Sequence, residues 1–377
     1  MKNYYISSKS TKRFTQAKRR DIPKFHVTQK DNNMDLNKYG FAIIGTGAIA
    51  AIHAKAIAEI PTATLVAVYN RTKAKAEAFA KTYDCKAYDS LDDLLEDPNN
   101  HIICICTASG VHLEAAEKSL RAGKHCLIEK PLEVTPDRCD SIISMARQKA
   151  LKVGTIFPTR FYPNSIKIKE QLNQGCFGEL VIGSAYVKWQ RKPAYYQSAA
   201  WRGTWELDGG GALMNQGIHA VDMLLWYMGP AVHVSAITAN RLHQEIEVED
   251  TVIAQVLFKN GALGTIECST AAYPGTEKRI EIIGTKGSAI LEENNLRLWE
   301  FQDQEQEDLP KTMATVSGGV SDPMAIGHYA HQLLIEDFIS AIDNNRAPSI
   351  DGEEGRKSVE LICAIYQSAK EGKRIYL

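Results

Sequence analysis

The stretch Phe41-Ala-Ile-Ile-Gly45-Thr-Gly47-Ala-Ile-Ala50 constrains the fold of this chain more than any other. An apolar run ends in a Gly-x-Gly-x-x-Ala turn, and a helix-like segment, Ala50 to Glu59, follows. Strand, glycine turn and helix in that order are the context in which such a fingerprint means dinucleotide binding. Gly45 allows the tight turn, and Gly47 lets the backbone approach a pyrophosphate. Ala50 is still small enough for close helix–strand packing. The helix start offers free N–H groups and the positive end of its dipole to phosphate charge. Gly45, Thr46, Gly47, Ala48 and Ile49 are therefore the expected contacts on the phosphate side. Alone, the motif is equally a tight turn of some other α/β protein, so its surroundings must decide.

A second strand-like run, Thr64 to Tyr69, follows at βαβ distance. It ends in Asn70-Arg71-Thr72, where the residue that reads the adenine ribose belongs. NAD sites usually have a carboxylate there. Asn70 carries no charge and Arg71 can pair with a 2′-phosphate, so NADP is favoured over NAD. Strand and helix patterns then alternate. Helices are expected over Lys73–Thr82, from Ser90 as N-cap, over Val111–Ala122 ending at Gly123, and over Thr135–Ala150. Strands are expected over Ile102–Cys106, Lys124–Ile128 and Leu151–Ile156. The alternation implies a parallel, doubly wound sheet over residues 38–158. Ligands of such sheets bind at the carboxyl ends of the strands. Thr107, Ala108 and His112 lie at one end, Glu129 and Lys130 at another, which completes the expected cofactor contacts.

From Thr159 the pattern changes. After a helix over Asn164–Asn173 come strand-like runs at Leu180–Trp189, Val232–Arg241, Thr251–Phe258, Ala262–Thr270, Arg279–Ile283, Ser288–Leu291 and Leu296–Phe301. Short turns such as Asn260-Gly261 argue for an open, mainly antiparallel sheet in an α+β domain over residues 159–377. Gln302 to Asp322 reads as a polar loop, and Tyr329–Asn344 and Gly355–Gly372 as closing helices. Residues 1–37 are basic and polar without an apolar core, which is not a secretory signal. Poor in acids before Asp21, they weakly resemble a transit peptide, but they read rather as a disordered tail, or as a start placed too early with Met34 the functional one. A net charge of −1 over 377 residues gives no reason to expect a nucleic-acid partner. No apolar run is long enough to span a bilayer. The eight cysteines are scattered without paired Cys-x-x-Cys units, so no metal is expected and a reducing cytoplasm fits.

Two constellations carry chemistry. Pro131 is expected to aim Lys130 across the strand ends, where an ammonium can hydrogen-bond a substrate hydroxyl and stabilise a developing alkoxide. Most lysines are instead surface residues. The second is Asp208-Gly-Gly-Gly-Ala-Leu-Met-Asn215-Gln-Gly-Ile-His219-Ala-Val-Asp222, three glycines feeding a helix. At helical spacing Asn215 and His219 share a face. Asp222, three residues after His219, can fix the imidazole tautomer or raise its basicity. A polar capping cluster with a core histidine is the plainer alternative. Between the two lies Trp189-Gln-Arg191, Tyr195-Tyr196 and Trp201-Arg202-Gly-Thr-Trp205, whose rings and cations suit a polyhydroxylated ligand, or equally a subunit interface. Arg160, Tyr196, Trp201, Arg202, Asn215 and Asp222 are the expected substrate contacts.

Three ordered motifs make the chain resemble the Gfo/Idh/MocA oxidoreductases, relatives of glucose–fructose oxidoreductase and inositol dehydrogenase, over about residues 38–377. They are Gly45-x-Gly47-x-x-Ala50, Ala122-Gly-Lys-His-Cys-Leu-Ile-Glu129-Lys130-Pro131, and Gly209-Gly-Gly-Ala-Leu-Met-Asn215-x-x-x-His219-x-x-Asp222. The resemblance implies an NAD(P)-dependent dehydrogenase or reductase acting on a secondary hydroxyl. Lys130 would polarise the hydroxyl and His219 would act as general acid/base. An aspartate often stands where Asn215 is. An amide orients a substrate but takes no proton, which tilts the expected substrate from inositol towards a sugar or sugar derivative. Thr107-Ala-Ser109 replaces the more usual Thr-Pro-Asn. The resemblance also admits a glycosidase that recycles bound NAD, or a non-catalytic dinucleotide sensor. By fold analogy it implies a homo-oligomer, a dimer or tetramer.

Overall fold

The computed structural model describes residues 38–302 and 327–377. The expectations for residues 1–37 and for nearly all of the polar loop 302–322 lie outside the described residues.

The first domain is the alternation made solid. Strands β1 (Tyr39–Ile44), β2 (Ala63–Tyr69), β3 (Lys86–Tyr88), β4 (Ile102–Ile105), β5 (His125–Ile128) and β6 (Val153–Thr155) are interleaved with α1 (Ala48–Ala58), α2 (Lys73–Tyr83), α3 (Leu91–Glu96), α4 (His112–Arg121) and α5 (Pro136–Gln148). All the strand pairings are parallel, in the order β3-β2-β1-β4-β5-β6. Such strands are covered on both faces, so β1 and β4 are continuous apolar runs without alternation. Phe41 and Ile43 are fully buried, each contributing about 2 kcal/mol. The order reverses between β1 and β4, which opens a crevice at their carboxyl ends. Ser90 caps α3 by accepting from the Asp93 N–H, as its position predicts. β3, at three residues, is too short to show a period and is absent from the sequence reading.

The second domain contains α6 (Pro163–Asn173), β7 (Leu180–Lys188), α7 (Pro193–Gln197), α8 (Ile218–Met228), β8 (Ala231–Ala239), β9 (Thr251–Phe258), β10 (Leu263–Ser269), β11 (Arg279–Gly284), β12 (Gly287–Glu292), β13 (Asn295–Phe301), α9 (Tyr329–Asp343), α10 (Gly352–Glu371) and β14 (Ile375–Tyr376). Its eight strands form an open sheet in the order β13-β12-β11-β7-β10-β9-β8-β14. Only β7 and β10 pair in parallel, so the sheet is mixed with a mainly antiparallel ladder. β9 alternates: Val252, Ala254, Val256 and Phe258 are buried, while Ile253 and Gln255 face outwards. α8 packs against β7 and α10 against β8 on the buried face.

Two elements differ from the sequence reading. Ala212–Gly217 is a π-helical turn that precedes α8, where a single α-helix was expected. And α9, expected in the second domain, packs on α1 of the first. Tyr39 donates to Asp343 at 2.6 Å, and Phe338 lies against Gly154 of β6. The last two described helices thus bind the domains into one body.

Candidate active site

The cofactor end is built by the glycine turn. Gly45 has φ of +105°, and a Cβ there would lie 2.4 Å from the Cys106 carbonyl oxygen at the end of β4. Gly47 is the N-cap of α1, no side chain caps that helix, and a Cβ at Gly47 would meet nothing within 4 Å. The amides of the first turn therefore face open space, the cradle a pyrophosphate needs. Asn70 turns inwards: its amide donates to Thr46 Oγ1 at 2.8 Å and its oxygen accepts the Thr72 N–H at 2.8 Å. It pins the end of β2 to the glycine turn, and exposed Arg71 stands beside it. Thr107 and Ala108 are half-buried on the facing loop, and the Thr107 hydroxyl is a buried group with no protein partner.

Two expected cofactor contacts need correction. The buried His112 ring lies 2.9 Å from the Pro131 carbonyl and 3.4 Å from that of Thr107. It braces two loops and is closed off from solvent. Glu129 also points inwards, its Oε1 2.8 Å from His53 Nε2 of α1 and 4.0 Å from His331 Nε2 of α9. Burial works to raise its pKa, yet the hydrogen bond and charge of His53 hold it below the ordinary value. The Glu129 side chain anchors the strand end from which Lys130 emerges; its Oε2 also accepts the Lys130 N–H at 3.2 Å.

Lys130, joined to Pro131 by a cis peptide bond, donates from Nζ to the Asn215 carbonyl at 2.7 Å. Burial lowers the pKa of its ammonium, and the carboxylates of Glu129 and Asp208 oppose that. Asn215 sits in the π-helical turn, whose free N–H groups are taken by Glu249. That carboxyl accepts from Gly211 and Leu213, each at 2.8 Å. A Cβ at Gly211 would come within 1.7 Å of the Glu249 carbonyl oxygen, so the residue must be glycine. The Asn215 amide donates to Asp208 at 2.5 Å, and Asp208 also accepts the Gly203 N–H at 2.9 Å.

His219, in the first turn of α8, packs edge-on against Phe157 at 5.7 Å. Its Nδ1 is buried without a partner. Burial, then the charge of Lys130, holds its pKa well below the ordinary value, so the ring is neutral. The expected pairing with Asp222 is not formed. Asp222 is bound by Arg160 through Nε at 2.9 Å and Nη2 at 2.6 Å, and Arg160 also donates to Glu354 at 2.8 Å. A buried carboxylate takes the two-pronged guanidinium over a neutral imidazole. Arg160 and Asp222 are both buried in this pair, which corrects their expected role as substrate contacts.

The aromatic stretch is also redistributed. Tyr196, an expected substrate contact, is buried with its hydroxyl 2.8 Å from Thr270 Oγ1 and its ring against His243. The Tyr195 hydroxyl accepts from Arg202 at 2.5 Å and Gln216 at 2.6 Å, and donates to Asn215 Oδ1 at 3.2 Å. Arg202 lies over the Tyr195 and Trp201 rings at 4.3 and 4.6 Å. The structure thus joins Lys130, Asn215, Arg202 and Trp201 through Tyr195, Gln216 and Asp208. In five-residue α7 no periodicity tells Tyr195 from Tyr196, but Asp208 opens the glycine run and could have been found there.

Comparison with known proteins agrees with this layout. Residues 39–157 match a family described as oxidoreductase family, NAD-binding Rossmann fold, and residues 165–290 match the GFO/IDH/MocA C-terminal domain. An uncharacterized oxidoreductase of Synechocystis is 31% identical over 68% of this chain and 72% of its own. The myo-inositol 2-dehydrogenase of Thermotoga maritima is 29% identical over 89% of this chain and 97% of its own. Among solved structures, the WlbA dehydrogenase of Bordetella pertussis, in complex with NADH and UDP-GlcNAcA, superposes with a TM-score of 0.80 at 31% identity. The match covers 90% of this chain and 99% of that one.

Proposed function

The chain belongs to the GFO/IDH/MocA family of NAD-binding oxidoreductases and is a dehydrogenase acting on CH–OH donors; on that premise we propose that it oxidises a ring secondary hydroxyl of a sugar or sugar derivative, with NADP preferred. The observation that carries the reading is a pre-set ammonium, Lys130 Nζ on the Asn215 carbonyl, next to a half-buried imidazole, His219, whose pKa is held well below the ordinary value. The relatives that act on inositol or bind a sugar nucleotide support the substrate class.

When bound, the nicotinamide supplies the hydride acceptor. The open amides of the glycine turn, Thr46, Ile49, Arg71 and the Thr107–Ala108 loop are the residues that would hold the dinucleotide. His219 would take the hydroxyl proton on its half-buried ring. Lys130 would donate to the same hydroxyl oxygen and stabilise its alkoxide character, held in line by the Asn215 carbonyl. Asn215, its amide committed to Asp208, would orient the ring and carry no proton. The absence of a carboxylate at the end of β2, with Arg71 exposed there, supports NADP.

We read the outer face of the large sheet as a self-association surface. Ile237, Ile253, Leu263 and Ile182 are exposed on neighbouring strands and directly paired in register. The eight cysteines are all free, which supports a reducing compartment, the cytoplasm. No helix among the described residues is long and apolar enough to cross a membrane.

The test is nicotinamide absorbance with NAD and with NADP against sugars, polyols and sugar nucleotides, with Arg71→Ala alongside. Turnover of a sugar with NADP, weakened in the variant, is expected. Unchanged NADP affinity in Arg71→Ala would defeat the cofactor reading. No turnover by any member, with cofactor tightly held, would defeat the dehydrogenation of sugars and direct attention to aryl-glycoside cleavage.

A further inference from the structure

Arg202 is a cation without an anion. Its guanidinium is partly buried between the rings of Tyr195 and Trp201, and the Tyr195 hydroxyl accepts from Nη1. Its Nε is buried with no partner. No acidic side chain among the described residues forms an ion pair with it. Arg160 has Asp222 and Glu354, and Arg138 has Glu133 and Glu114; Arg191, buried beside the same Tyr195 ring, donates to Gln216 Oε1 at 3.0 Å and to the Gln190 carbonyl at 3.2 Å. Taking a guanidinium partly out of water without a counter-charge is unfavourable, so a fold keeps such a group where something completes it.

The surroundings do not complete it. The carboxylate within electrostatic reach is Asp208, and its oxygens already accept the Gly203 N–H and the Asn215 amide. Lys130 also acts on Asp208, and Lys130 and Arg202 repel each other. Lys130 has Glu129 as well, so Asp208 is the one carboxylate that Arg202 reaches and it is shared with Lys130, which leaves Arg202 without a counter-charge of its own beside the reacting centre. Both aromatic faces hold the guanidinium plane, and a planar fork of N–H donors matches a carboxylate or phosphate oxygen pair. We propose that the substrate is a sugar with an anionic substituent, a carboxylate or a phosphoester, and that Arg202 binds that group beside the hydroxyl that reacts. This rests on the sugar-dehydrogenase reading for the identity of the ring, and on Arg202 alone for its charge.

The test uses the cofactor-loaded enzyme and matched ligands: glucose, glucuronate and glucose 6-phosphate. Binding is measured by titration calorimetry and turnover by nicotinamide absorbance, for the native chain, Arg202→Lys and Arg202→Gln. An anionic member is expected to bind at least about tenfold tighter than its neutral counterpart, and less so at high salt. Arg202→Gln should bring that ratio close to one, and Arg202→Lys should keep part of it. Whether glucuronate or the phosphate ester gains tells carboxylate from phosphoester. Equal affinities within the matched set would overturn the proposal. So would an Arg202→Gln that weakens every ligand alike while still binding cofactor, since that is a structural role. Tight, Arg202-dependent anion binding without turnover would keep this inference and sink the dehydrogenase reading; turnover of neutral sugars with no charge preference would do the reverse.

Discussion

Lys130 and His219 sit in environments that push both towards neutrality, and chemistry at this centre needs only one of them to go all the way. Burial depresses each pKa, but Glu129 and Asp208 keep the ammonium charged while no carboxylate does this for the imidazole. Lys130→Met is expected to lower kcat by about two to three orders of magnitude with little change in cofactor affinity, as loss of one preorganised donor does. A variant with native turnover would remove Lys130 from the reaction. The same directions set the pH profile of alcohol oxidation. The acid limb, from protonation of His219, should fall below pH 6.5, and the alkaline limb, from loss of the Lys130 proton, below pH 10.5. An acid limb at or above 6.5 would exclude this His219. At this scale spacing picked out Lys130, Asn215 and His219 as candidates, because each is tied to a glycine or proline landmark, and the fold does bring Lys130 onto the Asn215 carbonyl. It misassigned Asp222, Glu129, His112 and Tyr196. Those side chains were claimed by partners distant in sequence: Arg160 lies 62 residues from Asp222, and His53 76 from Glu129.

The π-helical turn is the element on which the site depends. One extra residue per turn displaces Asn215 from the α-helical face it would share with His219, and presents its carbonyl to Lys130. Glu249 takes the N–H groups that start the turn, and Tyr366 donates to the same carboxyl at 3.1 Å. Gly211→Ala should drive this start off the Glu249 backbone. We expect a loss of kcat of at least about tenfold together with a lower Tm, since a bad clash in a packed site costs 1–3 kcal/mol. Native kcat in a folded Gly211→Ala would show that the turn does not position Lys130. No sequence period marks a π-turn, because Ala212, Leu213, Met214 and Ile218 fit an α-helix as well. Strands β1, β2 and β7 to β13 were legible from turn residues and runs, whereas β3 and β14 exist only through their neighbours.

For the molecule as a whole, two buried groups tilt stability in opposite directions. Burial raises the Glu249 pKa to about 7 from an unfolded value near 4.5. The folded chain then holds a proton that the unfolded chain has lost, so stability falls as pH rises across that window, by on the order of 3 kcal/mol. Burial lowers the His331 pKa to about 4, so its contribution is lost as pH falls from 6.5. The Tm gap between the native chain and Glu249→Gln should narrow from pH 4.5 to 7.5, and the gap to His331→Gln should narrow as pH drops from 7 to 4.5. A gap that is constant with pH in either variant would rule out that group. Light scattering addresses the exposed face: Ile253→Asp is expected to yield a smaller species than the native chain, and an unchanged mass would remove that face from assembly. The change from a parallel to a mainly antiparallel sheet was legible because the period of the pattern changes. The return of α9 was not, since an amphipathic helix does not say which sheet it covers.

That return has a consequence in time. Synthesis runs from the amino end, so the glycine turn, β1 and α1 leave the ribosome some 280 residues before α9 does (Tyr329 against Ala48). Until then one side of α1, with the His53 ring that later meets His331, has no cover. The nascent first domain is thus a half-clothed intermediate that nothing downstream closes until α9 has been made. A chain stalled or cut after residue 158 should behave as a chaperone client, although its six-stranded sheet is already complete in sequence.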